Sequence, residues 1–225
     1  MYLNTSIQTL GRAPVAALLL TLGMTFGAPS LAFNELNEAQ TWIYDTAHLA
    51  NTTEGQVIEY RYENQIKGQE TIEDSVSLSV AKTYDEGKRD VSLEFLSDAR
   101  RLPFPDFTAF RGNPVIIATL EHIAQNLAEQ SGGGVLSFRN RIRDGLVKEV
   151  AISQENSQLN DASIDTTVLR FRPFIDDPRV GRQPEYSNAE FSIAFSEAVP
   201  GGVVSVAVES TTDKDFFYRQ TVSIK

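Results

Sequence analysis

Five side chains carry most of the chemistry that spacing alone offers: Arg139 and Arg143, four residues apart, and Phe104, Phe107 and Phe110 in the loop before them. Residues four apart share a helical face, and guanidinium forks suit phosphate or carboxylate groups, so Arg139 and Arg143 read as a site for an anionic headgroup. Arg141, between them, swings well away. The upstream run Ser131-Gly132-Gly133-Gly134 would add free amides at a helix start, though it lacks the Lys-Ser/Thr ending of a phosphate loop. The competing role for both arginines is pairing with the chain's own acidic surface. The three phenylalanines, with Pro103 and Pro105, make an aromatic loop that would line a pocket mouth, dock a partner or tuck onto a sheet.

Catalytic signatures are thin. The chain has two histidines, His48 and His122, and no cysteine, which removes disulfides, cysteine nucleophiles and zinc-cysteine sites together. No G-x-S-x-G elbow is present. His122 would serve as a general base if a carboxylate oriented it, but adjacent Glu121 points roughly 100° away around a helix. His48 lies near Tyr44 and Asp45. Asp161, Asp165, Asp176 and Asp177 supply oxygen ligands for calcium without the spacing of a calcium loop. A hydrolase working through Glu121 and His122 therefore stands as an alternative to a non-enzymatic role, and no cofactor or metal is expected.

The ends and the composition say where such groups would operate. Residues 1–32 read as a cleavable signal peptide, with Arg12, an apolar stretch from Ala13 to Phe26 and the small-residue site Ser30-Leu31-Ala32. Cleavage after Ala32 is expected, leaving residues 33–225 as one periplasmic domain exported by the general secretory route and not spanning the membrane. No cysteine is available for a lipid anchor, and Arg12 has no arginine neighbour for a twin-arginine signal. The formal net charge of −10 becomes more negative once Arg12 is removed, a balance that argues against nucleic acid as a partner.

Strands flank a helical centre. Ile58, Tyr60 and Tyr62 alternate with Glu59, Arg61 and Glu63; Val76, Leu78 and Val80 alternate with serines; and Asp85-Glu86-Gly87-Lys88 turns the chain toward Val91, Leu93 and Phe95. Asn113 then caps a helix with Pro114 at its first position and Ile116, Leu120, Ile123 and Leu127 along one stripe, ending at the glycine run. A second helix carries Val135, Phe138, Ile142 and Leu146, so the helical insert covers about 113–147. Residues 153–165 read as a polar linker, Thr167–Phe171 as a strand, residues 175–188 as a long surface loop, and the segment around Pro200-Gly201-Gly202 as a hairpin turn. A last strand places Phe216, Tyr218, Val222 and Ile224 on one face. The expected fold class is α+β: a curved, half-barrel-like antiparallel sheet of about 7–8 strands with a central inserted helical pair.

The stretch FRGNPVIIATLEHIAQNLAEQSGGGVLSFRNRIRDGL, with AVPGGVVSVAVES downstream, resembles a signature of exported proteins of Gram-negative bacteria, a likeness that implies no particular activity. In element order the chain is similar to the periplasmic lipoprotein-carrier family, which holds acyl chains between a curved sheet and helices. That likeness implies a soluble binding or envelope-maintenance protein with an apolar cleft between sheet and helices, taking an amphipathic or lipid-like ligand. The alternative is a structural or assembly role in which the aromatic loop docks an envelope protein.

Overall fold

The computed structural model describes residues 35–148, 150–175, 184–212 and 215–225. The expected signal peptide, and Asp176 and Asp177, lie outside them. Nine strands form one open antiparallel sheet: β1 (Val57–Ile66), β2 (Ile72–Thr83), β3 (Arg89–Phe95), β4 (Phe107–Phe110), β5 (Ala151–Leu159), β6 (Ala162–Phe171), β7 (Glu190–Phe195), β8 (Val203–Thr212) and β9 (Asp215–Ile224). The order is β4-β3-β2-β1-β9-β8-β7-β6-β5, two meanders joined where β9 pairs with β1. A short helix α1 (Glu38–Gln40) opens the described chain, and α2 (Pro114–Ser131) and α3 (Val135–Lys148) cross from one sheet edge to the other. No described helix is long and apolar enough to cross a membrane.

Alternation decides which face of the sheet is buried. Tyr60, Tyr62, Leu78, Phe95, Phe191, Ile193, Tyr218 and Val222 point to the helix-covered face and are buried, whereas Glu59, Arg61, Ser77, Glu209 and Arg219 line the other. The Asn113 side chain accepts from Val115 N at 3.0 Å and donates to Gly201 O at 2.8 Å and Tyr60 Oη at 3.2 Å, so the expected cap also ties α2 to the sheet. α2 ends at Gly132, whose left-handed backbone (φ 66°) suits glycine. Ile142 and Leu146 of α3 are buried, and Gly145 lets the helix approach β6 closely: a Cβ there would meet Pro173 Cβ at 2.9 Å and Phe171 Cδ2 at 3.0 Å.

The strand count exceeds the expected 7–8 because of two segments. Phe107–Phe110 pairs briefly with β3, and much of residues 153–165 is paired strand rather than linker. That polar stretch forms the β5–β6 hairpin, in regular register from Ala151↔Arg170 to Leu159↔Ala162. Asn160 (φ 49°) and Asp161 (φ 66°) close it as a two-residue turn with both central residues left-handed, the geometry that matches strand twist. Low hydrophobicity concealed it because its outer end has no core to bury against.

Candidate functional site

A groove of about 820 Å³ opens between residues 42–51 and the ends of β5, β6 and β7. Its wall has no long helix of its own and is held by side chains. At the start, Asn37 accepts from Gln40 N at 2.8 Å, and Gln40 Oε1 accepts from Asn37 N at 3.0 Å, a reciprocal cap. The Asn37 amide also donates to the last carbonyls of α3, Leu146 O at 3.1 Å and Val147 O at 3.2 Å. One π-helical turn, Thr41–Asp45, then swings Trp42 toward the sheet. Further along, Asn51 donates to Val199 O at 2.7 Å and accepts from Gly201 N at 2.9 Å, stapling the wall to the β7–β8 turn. Behind it, buried Arg89 donates to the carbonyls of Ala50 (3.0 Å), Thr52 (3.1 Å), Tyr84 (3.2 Å) and Lys88 (2.8 Å). Its Nε donates to Thr52 Oγ1 at 3.3 Å, and a guanidinium spent on four carbonyls and a hydroxyl of its own chain organises a wall rather than a ligand.

Aromatic rings meet where this wall touches β7. The His48 ring stacks on Phe195 with centroids 4.7 Å apart, and Trp42 lies 5.3 Å from the same phenylalanine. His48 Nε2 lies 2.5 Å from Trp42 O. A carbonyl only accepts, so Nε2 carries the proton and Nδ1 is the bare nitrogen. Burial pushes the His48 pKa below its ordinary value, which keeps the ring neutral at pH 7. Gly202 (φ 70°) turns beside it, and a Cβ there would come within 3.0 Å of His48 Nδ1. Across the sheet, Gln154, Thr167 and Phe195 form one cross-strand row, with Gln154 and Thr167 also joined by side-chain hydrogen bonds at 3.0 and 3.2 Å. Asp165 and Glu197 are the carboxylates among the lining residues, which include no lysine or arginine.

None of Arg139, Arg143, Phe104, Phe107 and Phe110 lines this groove. Arg139 forms a bidentate pair with Glu121, its Nε 2.6 Å from Oε2, and so links α3 to α2. The guanidinium holds the Glu121 carboxyl below its usual range. Arg143 is exposed on α3, its charge acting on Tyr44. Phe104 packs edge-on against Phe95 with centroids 5.7 Å apart, while Phe107 and Phe110 face each other at 5.2 Å on edge strand β4. The aromatic loop and the arginine pair therefore sit on separate elements.

Glu121 and His122 diverge as well. His122 is buried beneath α2 between the rings of Tyr62 (5.5 Å) and Phe95 (5.3 Å), and its Nδ1 lies 3.2 Å from Gln220 Nε2. Gln220 Oε1 accepts from Asn126 at 2.7 Å and from Tyr218 Oη at 2.9 Å. Desolvation brings the His122 pKa down to about 4. The space directly beneath α2 is thus filled by a packed polar and aromatic cluster, and the groove lies beside the helices, against β5–β7. Among the described residues no group of three or more histidines and carboxylates is placed to hold a metal ion.

Sequence reasoning singled out His48 but missed Trp42, Phe195 and Asn51 as a set. The available signal was the single tryptophan six residues before a histidine; its partner Phe195 is 153 positions further along the chain, a separation no local pattern reports. Compared with known protein families and with curated proteins, the chain matches none.

Proposed function

We propose that this is an exported, non-catalytic binding protein of the periplasm that holds the apolar part of an amphipathic ligand in the groove between residues 42–51 and β5–β7. The observation that carries this reading is the groove itself. At about 820 Å³ it falls within the range of small-molecule pockets, and it is fronted by Trp42, His48 and Phe195. Its wall is braced by Asn37, Asn51 and Arg89, so little ordering is left for a ligand to impose. Two meanders joined by a helical crossover are consistent with a half-barrel-like layout similar to the lipoprotein carriers. In that reading residues 1–32 are the export signal, cleaved after Ala32, and the ligand is lipid-like or the exposed segment of an envelope protein.

Trp42 is the only tryptophan in the chain, so its fluorescence reports on the groove alone. Titration with dodecyl maltoside below its micelle concentration should give a saturable emission shift. Thr167→Phe, which fills the cross-strand row, should abolish the shift while leaving the circular dichroism spectrum unchanged. A linear, unsaturable response in the wild-type protein would defeat the proposal.

A further inference from the structure

The charges in and around the groove are unevenly distributed. On the opposite face of the sheet, arginines and glutamates are matched: Arg170 with Glu155 (2.9 Å), Arg172 with Glu190 (2.7 Å) and Arg219 with Glu209 (2.8 Å). Asp165 and Glu197, which line the groove, are exposed and form no ion pair with any described residue. Each is fixed in place through its backbone instead, Asp165 O accepting from Ser196 Oγ at 2.7 Å and Glu197 O from Asn51 at 3.3 Å. His48 cannot balance them, because its one N–H is spent on Trp42 O and its ring is packed on Phe195.

Two carboxylates without counter-ions in a groove edged by the half-buried Trp42 indole make a site of negative potential, in a chain whose formal net charge is −10. Ring faces attract cations and carboxylates attract them more strongly, while the same field repels anions. Resting on the groove reading above, we infer that the groove selects organic cations: its occupant is an amphiphile with an ammonium head, its chain against Trp42 and its charge met by Asp165 and Glu197. The anionic headgroup expected from Arg139 and Arg143 concerns a different place, since neither arginine lines the groove.

Three ligands with one chain and different heads separate the possibilities: dodecyltrimethylammonium, dodecyl maltoside and dodecyl sulfate, each titrated below its micelle concentration with Trp42 emission as the readout. At low salt the ammonium should bind at least about tenfold more tightly than the maltoside, and the sulfate more weakly than either. The ammonium's advantage should shrink in about 0.5 M salt, where charges are screened within a few ångströms. In Asp165→Asn/Glu197→Gln the ammonium's affinity should fall to that of the maltoside for the same variant. Equal binding of ammonium and maltoside by the wild-type protein overturns charge selection and leaves the groove reading standing. Absence of saturable binding by all three overturns both. A folded double variant that keeps the ammonium preference overturns the assignment to these two carboxylates, and the wild-type series decides the matter if that variant does not fold.

Discussion

Beneath α2 the sheet presents Tyr62, Phe95, Tyr218 and Val222, each at 2% exposure or less, whereas the β5–β6 hairpin presents Gln154, Asn156 and Asp165 on the corresponding face. Both regions are regular antiparallel ladders with continuous backbone pairing. What differs is what the side chains gain by it. Under the helix each residue fills a contact, so position is over-determined and no room is left for a ligand. Along the hairpin the backbone is satisfied by its partner strand while the side chains meet open space. An open groove at the margin of a well-packed sheet keeps a binding surface from competing with the core for the same residues.

Truncation on the two sides should separate them most clearly. Phe95→Ala removes a fully buried ring that touches Tyr62, Phe104 and His122, and should cost about 4 kcal/mol. Ile164→Ala, half-buried on β6 near the hairpin tip, should cost under about 1 kcal/mol. Urea denaturation followed by circular dichroism measures both. Comparable losses would mean that the hairpin is as tightly integrated as the core.

Acid should act on the covered region next. His122 titrates near 4 in the folded protein because burial disfavours its charged form, against an ordinary 6.5. Between those values the unfolded chain binds the extra proton and the folded chain does not. The stability it contributes is therefore complete above about pH 6.5 and is lost as pH falls toward 4, by roughly 3 kcal/mol at most. His122→Phe should flatten that part of the stability-against-pH curve without changing the fall below pH 4, which belongs to carboxylates such as Glu155, held down to about 2 by its hydrogen bond from Arg170. A variant curve parallel to the wild type from pH 6.5 to 4 would remove His122 from the account.

The same contrast governs how much the sequence revealed. β1, β2, β3, α2 and α3 announce themselves because one face of each is buried: Ile58-Tyr60-Tyr62 at period two, and Ile116-Leu120-Ile123-Leu127 at helical period, are the imprint of that face. β5 carries no such imprint, since Gln154, Asn156 and Gln158 on one side and Ser153, Glu155 and Ser157 on the other are all polar. The groove was less legible still. It arises from Trp42 reaching Phe195, and from Asn51 reaching the 199–201 turn, contacts between segments far apart in the chain. Arg139 stood out in sequence for its charge, but its bidentate partner, Glu121, lies on the preceding helix.

The smallest effect bears most directly on whether the two regions are independent. Asn160 and Asp161 both hold left-handed backbone, at φ 49° and 66°; asparagine tolerates this well at the first position of such a turn, and glycine is favoured at the second. Asp161→Gly removes the steric cost of a side chain there but adds freedom to the unfolded chain, so a net gain of only about 0.5 kcal/mol is expected. The informative readout is where the gain falls. If the hairpin opens on its own, amide hydrogen exchange should slow in β5 and the first half of β6 while the melting temperature stays put, because exchange there proceeds by local opening. A uniform slowing across β1 and β9, with a matching rise in melting temperature, would mean one cooperative unit. In that case the groove floor would be as rigid as the core, and ligand binding could not depend on movement of the hairpin.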